Sequence, residues 1–297
     1  MINIISRIIE DLNKDGFSQS SIDELLTNSE KSYFYDIKNF YSEAIENKNI
    51  KGRINSINEG VFSKVSKYKQ YEITHDEILG EPLTLNNIPL VQLYLSKNII
   101  KIAKSYLGEE IKLRNPLAWI HPSTKNKKEI RSQKWHRDQE DTKMLKIFIL
   151  FSDVTENNGP TQYVKSTNFS GKFKNIAPNM TWLSNHWSNK NPFVNKCYNF
   201  IRSKIPLNYP IPKGQVVKAI GKKGTIFFID TNGLHKGGLV GEGKRLMTHC
   251  NFLKKSAPML KKGMPLEKLN SDEKLFNINY NSKTFKSFDS DIQKMLI

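Results

Sequence analysis

The sequence predicts a mainly β fold with flanking helices, in which an antiparallel sandwich or jelly roll follows a helical first third. Three observations carry this. Ile4, Ile5, Ile8, Ile9 and Leu12 repeat at helical spacing, the punctuation changes at Leu113 to short β-rich runs set apart by Gly, Pro and Asn, and Glu156-Asn-Asn-Gly-Pro160 supplies turn residues between two such runs. Several short strands joined by turns suit antiparallel sheets.

In order along the chain, Asp15-Gly16 breaks the first helix and Ser21-Ile-Asp-Glu24 is a capping box opening a second one through Leu26. An apolar-striped helix from about Pro89 to Tyr106, stopped by Gly108, should pack on the sheet that follows. The expected strands are Leu117–Ile120, Met144–Phe151, Thr161–Val164, Val216–Ile220, Thr225–Ile229 and Leu246–Phe252, with a chain reversal between Asp153 and Pro160. Residues 1–297 therefore read as a single domain: a helical part over 1–110, a strand core over 111–255 and a C-terminal extension over 256–297. Between 166 and 212 the strand pattern lapses into a polar and aromatic segment with Trp182, His186 and Trp187, a lid-like insertion.

Composition excludes several classes. No apolar run approaches the ~20 residues of a membrane span, and charges interrupt the N-terminal apolar pattern MINIISRIIEDLNKDG, so neither a membrane partner nor a signal peptide is expected. Cys197 and Cys250 are too few for a disulfide framework and form no CxxC pair, which fits a reducing, cytoplasmic setting. The net charge of +17 would suit acidic partners, nucleic acid included, but the lysines are scattered along the whole chain. The densest cluster, Lys125, Lys127, Lys128 and Arg131, lies between two strand-like runs and reads as a solvated loop.

The residues that carry chemistry stand in Trp135-His136-Arg137-Asp138 and Asp230-Thr-Asn-Gly-Leu-His235. In an extended segment His136 and Asp138 share a side and can reach one metal together, while His235, at the end of the Thr225–Ile229 run, can be brought to them by a sandwich. Two His and one carboxylate with open positions suit non-haem Fe(II), leaving room for a bidentate cosubstrate and O2. Ten residues past His235 stands Arg245, whose fork fits a carboxylate such as the far end of 2-oxoglutarate. A zinc hydrolase would leave Arg245 unexplained.

The segments WHRDQEDTKMLKIFILFSDVTENNGPTQYVKSTN, GKKGTIFFIDTNGLHKGGL and KRLMTHCNF, with a looser likeness at DGF, resemble the phytanoyl-CoA dioxygenase family of 2-oxoglutarate oxygenases. The resemblance implies a double-stranded β-helix (jelly-roll, cupin-like) core with the N-terminal helices on one sheet. It implies Fe(II) on His136, Asp138 and His235, 2-oxoglutarate on Arg245, and oxidation of a small-molecule substrate with O2. Related halogenating oxygenases lack the carboxylate ligand, so Asp138 favours hydroxylation or another oxidative outcome. Two features depart from the pattern. Met247 stands where many such oxygenases carry Ser or Thr, and Thr248 should face the other way. Lys146, alone among apolar residues, is the candidate second partner of the distal carboxylate, although strand alternation reads it as outward. Trp135 either walls the pocket or packs in the core. The alternatives are an oxygenase acting on nucleic acid or protein, and a non-catalytic binding protein on the same fold. The substrate and the oligomeric state are not written in these motifs.

Overall fold

The computed structural model describes residues 3–61, 71–79, 88–108, 110–126, 128–129, 131–138, 140–176, 210–257 and 286–296. The N-terminal isoleucine stripe forms α1 (Ile4–Asp15), capped by the Asn3 side chain and closed by Gly16 at φ 73°, a left-handed conformation natural to glycine. A strand that the sequence reading left out, β1 (Phe17–Ser21), comes next. The expected Ser21–Glu24 capping box then opens the one-turn α2 (Ile22–Leu25). There follow α3 (Asn28–Glu46), α4 (Lys48–Asn58), β2 (Ile73–Thr74) and α5 (His75–Leu79).

The single helix expected from Pro89 to Tyr106 is two, α6 (Ile88–Tyr94) and α7 (Lys97–Leu107), with Gly108 ending the second as expected. The break has two causes. Ser96 Oγ donates to Leu93 O at 2.8 Å, and Lys97 N donates to Glu30 Oε1 on α3, also at 2.8 Å. Each bond satisfies a backbone group that a helix end leaves open.

The strands are β3 (Ile111–Pro122), β4 (Leu145–Leu150), β5 (Gln162–Val164), β6 (Val216–Lys218), β7 (Thr225–Ile229), β8 (His235–Lys236) and β9 (Lys244–Lys254). They pair antiparallel throughout, in a large sheet ordered β1-β7-β4-β9-β3-β2 and a small one ordered β6-β5-β8. The turn at Glu156–Pro160 forms, with Gly159 at φ 64°, but it makes no hairpin. β4 and β5 belong to different sheets, and this link carries the chain across.

Alternation divides the large sheet into two buried faces. Ile147, Ile149, Ile226, Phe228, Cys250 and Phe252 join α1, α3, α6 and α7 in the main core. Phe148, Leu150, Phe227, Ile229 and Met247 turn the other way, toward Tyr163 of β5 and Ala219. Burial on both faces explains why these strands read as near-continuous apolar runs. Within the C-terminal extension, α8 (Ser290–Leu296) packs on β3 through buried Met295 and Leu296. Residues 177–209 of the insertion, with Trp182, His186, Trp187 and Cys197, lie outside the described residues. No described helix is long and apolar enough to cross a membrane.

The Tyr163 hydroxyl fills space that a Cβ on either Gly16 or Gly233 would take. Gly233→Ala should force this fully buried ring aside and cost roughly 1–3 kcal/mol of stability. The urea midpoint should fall accordingly; an unchanged midpoint would show that the ring has room to move.

Candidate metal centre

His136 and His235 are joined backbone to backbone before their side chains do anything. Each donates its N–H to the other's carbonyl at 2.9 Å, forming an antiparallel bridge that adds the His136 segment to the open edge of β8. Directly opposed residues carry their side chains on one face, and the two rings stand with centroids 4.2 Å apart. Asp138 N donates to Thr231 O at 2.8 Å, which fixes the third residue two positions on. The sequence reading put His235 at the end of the Thr225–Ile229 strand. It stands instead at the start of β8 in the small sheet, after a turn over 230–234.

The three side chains converge, with one ligand atom from each lying within 4.8 Å of the others. His136 Nε2 is 3.8 Å from Asp138 Oδ1, and His235 Nε2 is 3.7 Å from Asp138 Oδ2. The far side of each ring is engaged: His136 Nδ1 lies 2.8 Å from Lys134 O, and His235 Nδ1 lies 2.9 Å from Gly233 O. A carbonyl only accepts, so both Nδ1 atoms carry the proton and both Nε2 lone pairs face Asp138, the arrangement that metal-binding histidines require. Burial pushes the His235 pKa down to about 3, and His136 adds to this against the pull of Asp138. The ring is thus neutral at physiological pH, its ligating form.

A clasp not foreseen from sequence holds these residues. Arg137, between the two ligands, is buried, and its guanidinium donates to Thr167 O and Asn232 O at 2.6 Å and to Lys174 O at 2.8 Å. Asn232 Nδ2 donates to Asp141 O at 3.0 Å. Asp230, fully buried, receives Tyr106 OH at 2.7 Å and Asn232 N at 3.1 Å. Burial raises its carboxyl to about 6, with those bonds opposing. The clasp residues stand in WHRD and IDTNGLH, beside the three converging side chains. Trp135 is half-buried and packs beside Val164 and Leu234.

Lys146 does not point outward. Its Nζ lies 2.6 Å from Asp138 Oδ2, with side-chain exposures of 15% and 16% for the two residues. Burial works against the Asp138 charge, but Lys146 and then the two histidines outweigh it and hold the carboxyl well below the usual carboxylate range. Oδ1 stays clear of Lys146, so the residue can present one oxygen to a metal while the other is held.

Arg245 is buried on the same face of β9 as Met247, His249 and Asn251, and Asn251 stands opposite Lys146. About 20 Å of strand separates the backbones of Arg245 and Asn251, so Arg245 does not touch the triad. Its Nε and Nη1 have no hydrogen-bond partner among the described residues. A buried guanidinium with unfilled donors fits a carboxylate, and two oriented imidazoles with one carboxylate fit a first-row metal. Thr248 faces the helices, as expected, with its hydroxyl 2.5 Å from Tyr94 OH.

The Asp138–Lys146 pair predicts the behaviour of Lys146→Met. Removing one partner of a buried pair costs about 3–5 kcal/mol, and a divalent cation should replace what Lys146 supplied. The metal-free variant should melt well below wild type and gain more from Mn(II) than wild type does. Equal gains in differential scanning fluorimetry would show that Lys146 and the metal do not share Asp138.

The chain matches no family model and no curated protein. It is similar to solved structures that include the non-heme alpha-ketoglutarate-dependent epimerase SnoN from nogalamycin biosynthesis, at 15% identity and TM-score 0.48 over 85% of this chain and 84% of that one. Another is EctD from S. alaskensis with bound Fe, at 14% and 0.46 over 85% and 77%. A third is HygX from Streptomyces hygroscopicus with nickel, 2-oxoglutarate and hygromycin B, at 10% and 0.44 over 84% and 87%. Likeness at this level leaves function to be read from the residues of the site.

Proposed function

We propose that this chain is an Fe(II)- and 2-oxoglutarate-dependent dioxygenase of the phytanoyl-CoA dioxygenase type that hydroxylates, or otherwise oxidises, a small-molecule metabolite. 2-Oxoglutarate would be decarboxylated to succinate as O2 is consumed. The observation that carries this reading is a combination: His136, Asp138 and His235 converge, and Arg245 is buried with Nε and Nη1 unpartnered among the described residues. Two imidazoles and one carboxylate leave positions open for a bidentate keto acid and O2.

The strand order supports the double-stranded β-helix reading. With the His136 bridge added, the small sheet becomes a four-membered order, His136 segment-β8-β5-β6, opposite β3-β9-β4-β7. Iron and 2-oxoglutarate, when bound, would supply the oxidising chemistry. The chain's part is to aim both Nε2 atoms through carbonyls on Nδ1, to hold Asp138 through Lys146, and to offer Arg245 to the far carboxylate. Phe148, Leu150 and Met247 line the interior with apolar surface and exclude water between those points. Of the basic cluster that would favour a nucleic-acid substrate, Lys125 is paired with Glu59 at 2.6 Å.

Purified protein incubated with Fe(II), ascorbate, 2-oxoglutarate and a metabolite extract should release succinate and form products heavier by one oxygen atom. Asp138→Asn leaves an acceptor for Lys146 but removes the ligand charge, and succinate release should collapse; undiminished release would end the iron assignment. Arg245→Lys keeps the charge and loses the fork, so 2-oxoglutarate binding should weaken about 10- to 150-fold while metal binding survives. Wild-type affinity in calorimetry on this variant would move the anchor elsewhere.

A further inference from the structure

His121 and Arg245 face each other across the β3–β9 pair. Opposed residues of an antiparallel pair carry their side chains on one face with Cβ atoms about 4.5–5.5 Å apart. Both are buried, at 7% and 5% exposure, and His121 Nδ1 joins Arg245 Nε and Nη1 in having no hydrogen-bond partner among the described residues. A buried polar atom left unpaired costs about 1–3 kcal/mol, so three in one cross-strand pair mark a place made for something that binds there. Guanidinium N–H groups only donate. The missing partner is therefore an acceptor, and beside a buried cation it is an anion.

The geometry points to His121 as the second donor to the carboxylate that Arg245 holds, with the ring taking up a proton as that anion arrives. This rests on the cosubstrate reading above. The other residues considered for the second contact are accounted for: Lys146 is committed to Asp138, Thr248 is bonded to Tyr94 on the helix side, and Met247 has no donor.

The proton follows from the tautomer. His121 Nε2 lies 3.5 Å from Glu72 Oε2, a neighbour that favours the proton on Nε2. A neutral ring in that form presents a lone pair at Nδ1, which repels a carboxylate; the imidazolium offers N–H at both nitrogens. Before the cosubstrate's carboxylate arrives, burial pushes the ring's pKa below its ordinary value and the Arg245 cation adds to this, while Glu72 and the Arg245 backbone oppose. The further titratable groups nearby are His249, on the same face of β9, and His75 of α5, which acts on His249. An arriving carboxylate sets the ring between two anions and raises its pKa. Binding is then tighter at low pH and weakens as pH rises through the liganded value.

Anaerobic calorimetry of 2-oxoglutarate on the Mn(II)-loaded protein, run in buffers of different ionisation enthalpy, counts the protons taken up. Wild type should take up about one proton and bind more weakly from about pH 7 to 8. His121→Gln should take up none, bind about 10- to 150-fold more weakly and keep its Mn(II) affinity. Glu72→Gln, at a side chain 23% exposed, should fold normally and lower the proton count, which keeps the inference testable if His121→Gln fails to fold. Variants that match wild type in affinity and proton count would overturn it. If Arg245→Met abolishes binding while His121→Gln leaves it intact, this inference alone fails. If wild type binds no 2-oxoglutarate, the cosubstrate reading fails and takes this one with it.

Discussion

The site depends on a pair of backbone hydrogen bonds, those that His136 and His235 exchange. Everything metal-like about this chain follows from the register they impose. Opposition in an antiparallel pair puts two imidazoles on one face, and the i, i+2 step along the His136 segment brings Asp138 to the same side. The pairing is short, so its geometry must be held from outside. Arg137 commits its guanidinium to carbonyls of two segments, Thr167 and Lys174 after β5 and Asn232 in the turn before β8, and Asp230 gathers a tyrosine hydroxyl and a turn amide. These groups form a frame around the ligands without joining them.

Charge inside this frame is distributed unevenly. At the ligand end, Asp138 and Lys146 neutralise each other at 2.6 Å. Farther along β9, Glu72 is the electrostatic counterweight to Arg245 among the described residues, and Nε and Nη1 of Arg245 have no partner there. Each buried charge must be compensated where it sits, so the Arg245 end is left to accept an anion while the Asp138 end is already balanced.

How legible this was in the sequence depended on the range of the interaction. The His136-x-Asp138 spacing, the α1 stripe, Gly16, the Ser21–Glu24 box and the Thr225–Ile229 strand were legible, since each is set by residues a few positions apart. The break at Leu95–Ser96 was not, because Glu30 supplies the amide acceptor from 67 residues away. β1 was missed because Ser18, Gln19 and Ser20 carry no apolar alternation; pairing with β7 makes it a strand. Lys146 was misread because alternation assigns lysine outward only where one face meets water, and β4 has both faces covered.

The division of β9 has a consequence for how such a protein can diversify. Leu246, Cys250 and Phe252 belong to the helix-backed core, while Arg245, His249 and Asn251 face the opposite chamber, so a single strand serves two masters by parity. Inserting or deleting one residue would exchange the two sets wholesale, sending arginine into the core and leucine into the chamber. Lineages that diversify this fold must leave this strand's length alone. Their novelty has to come from segments that join the strands, where length is free to drift.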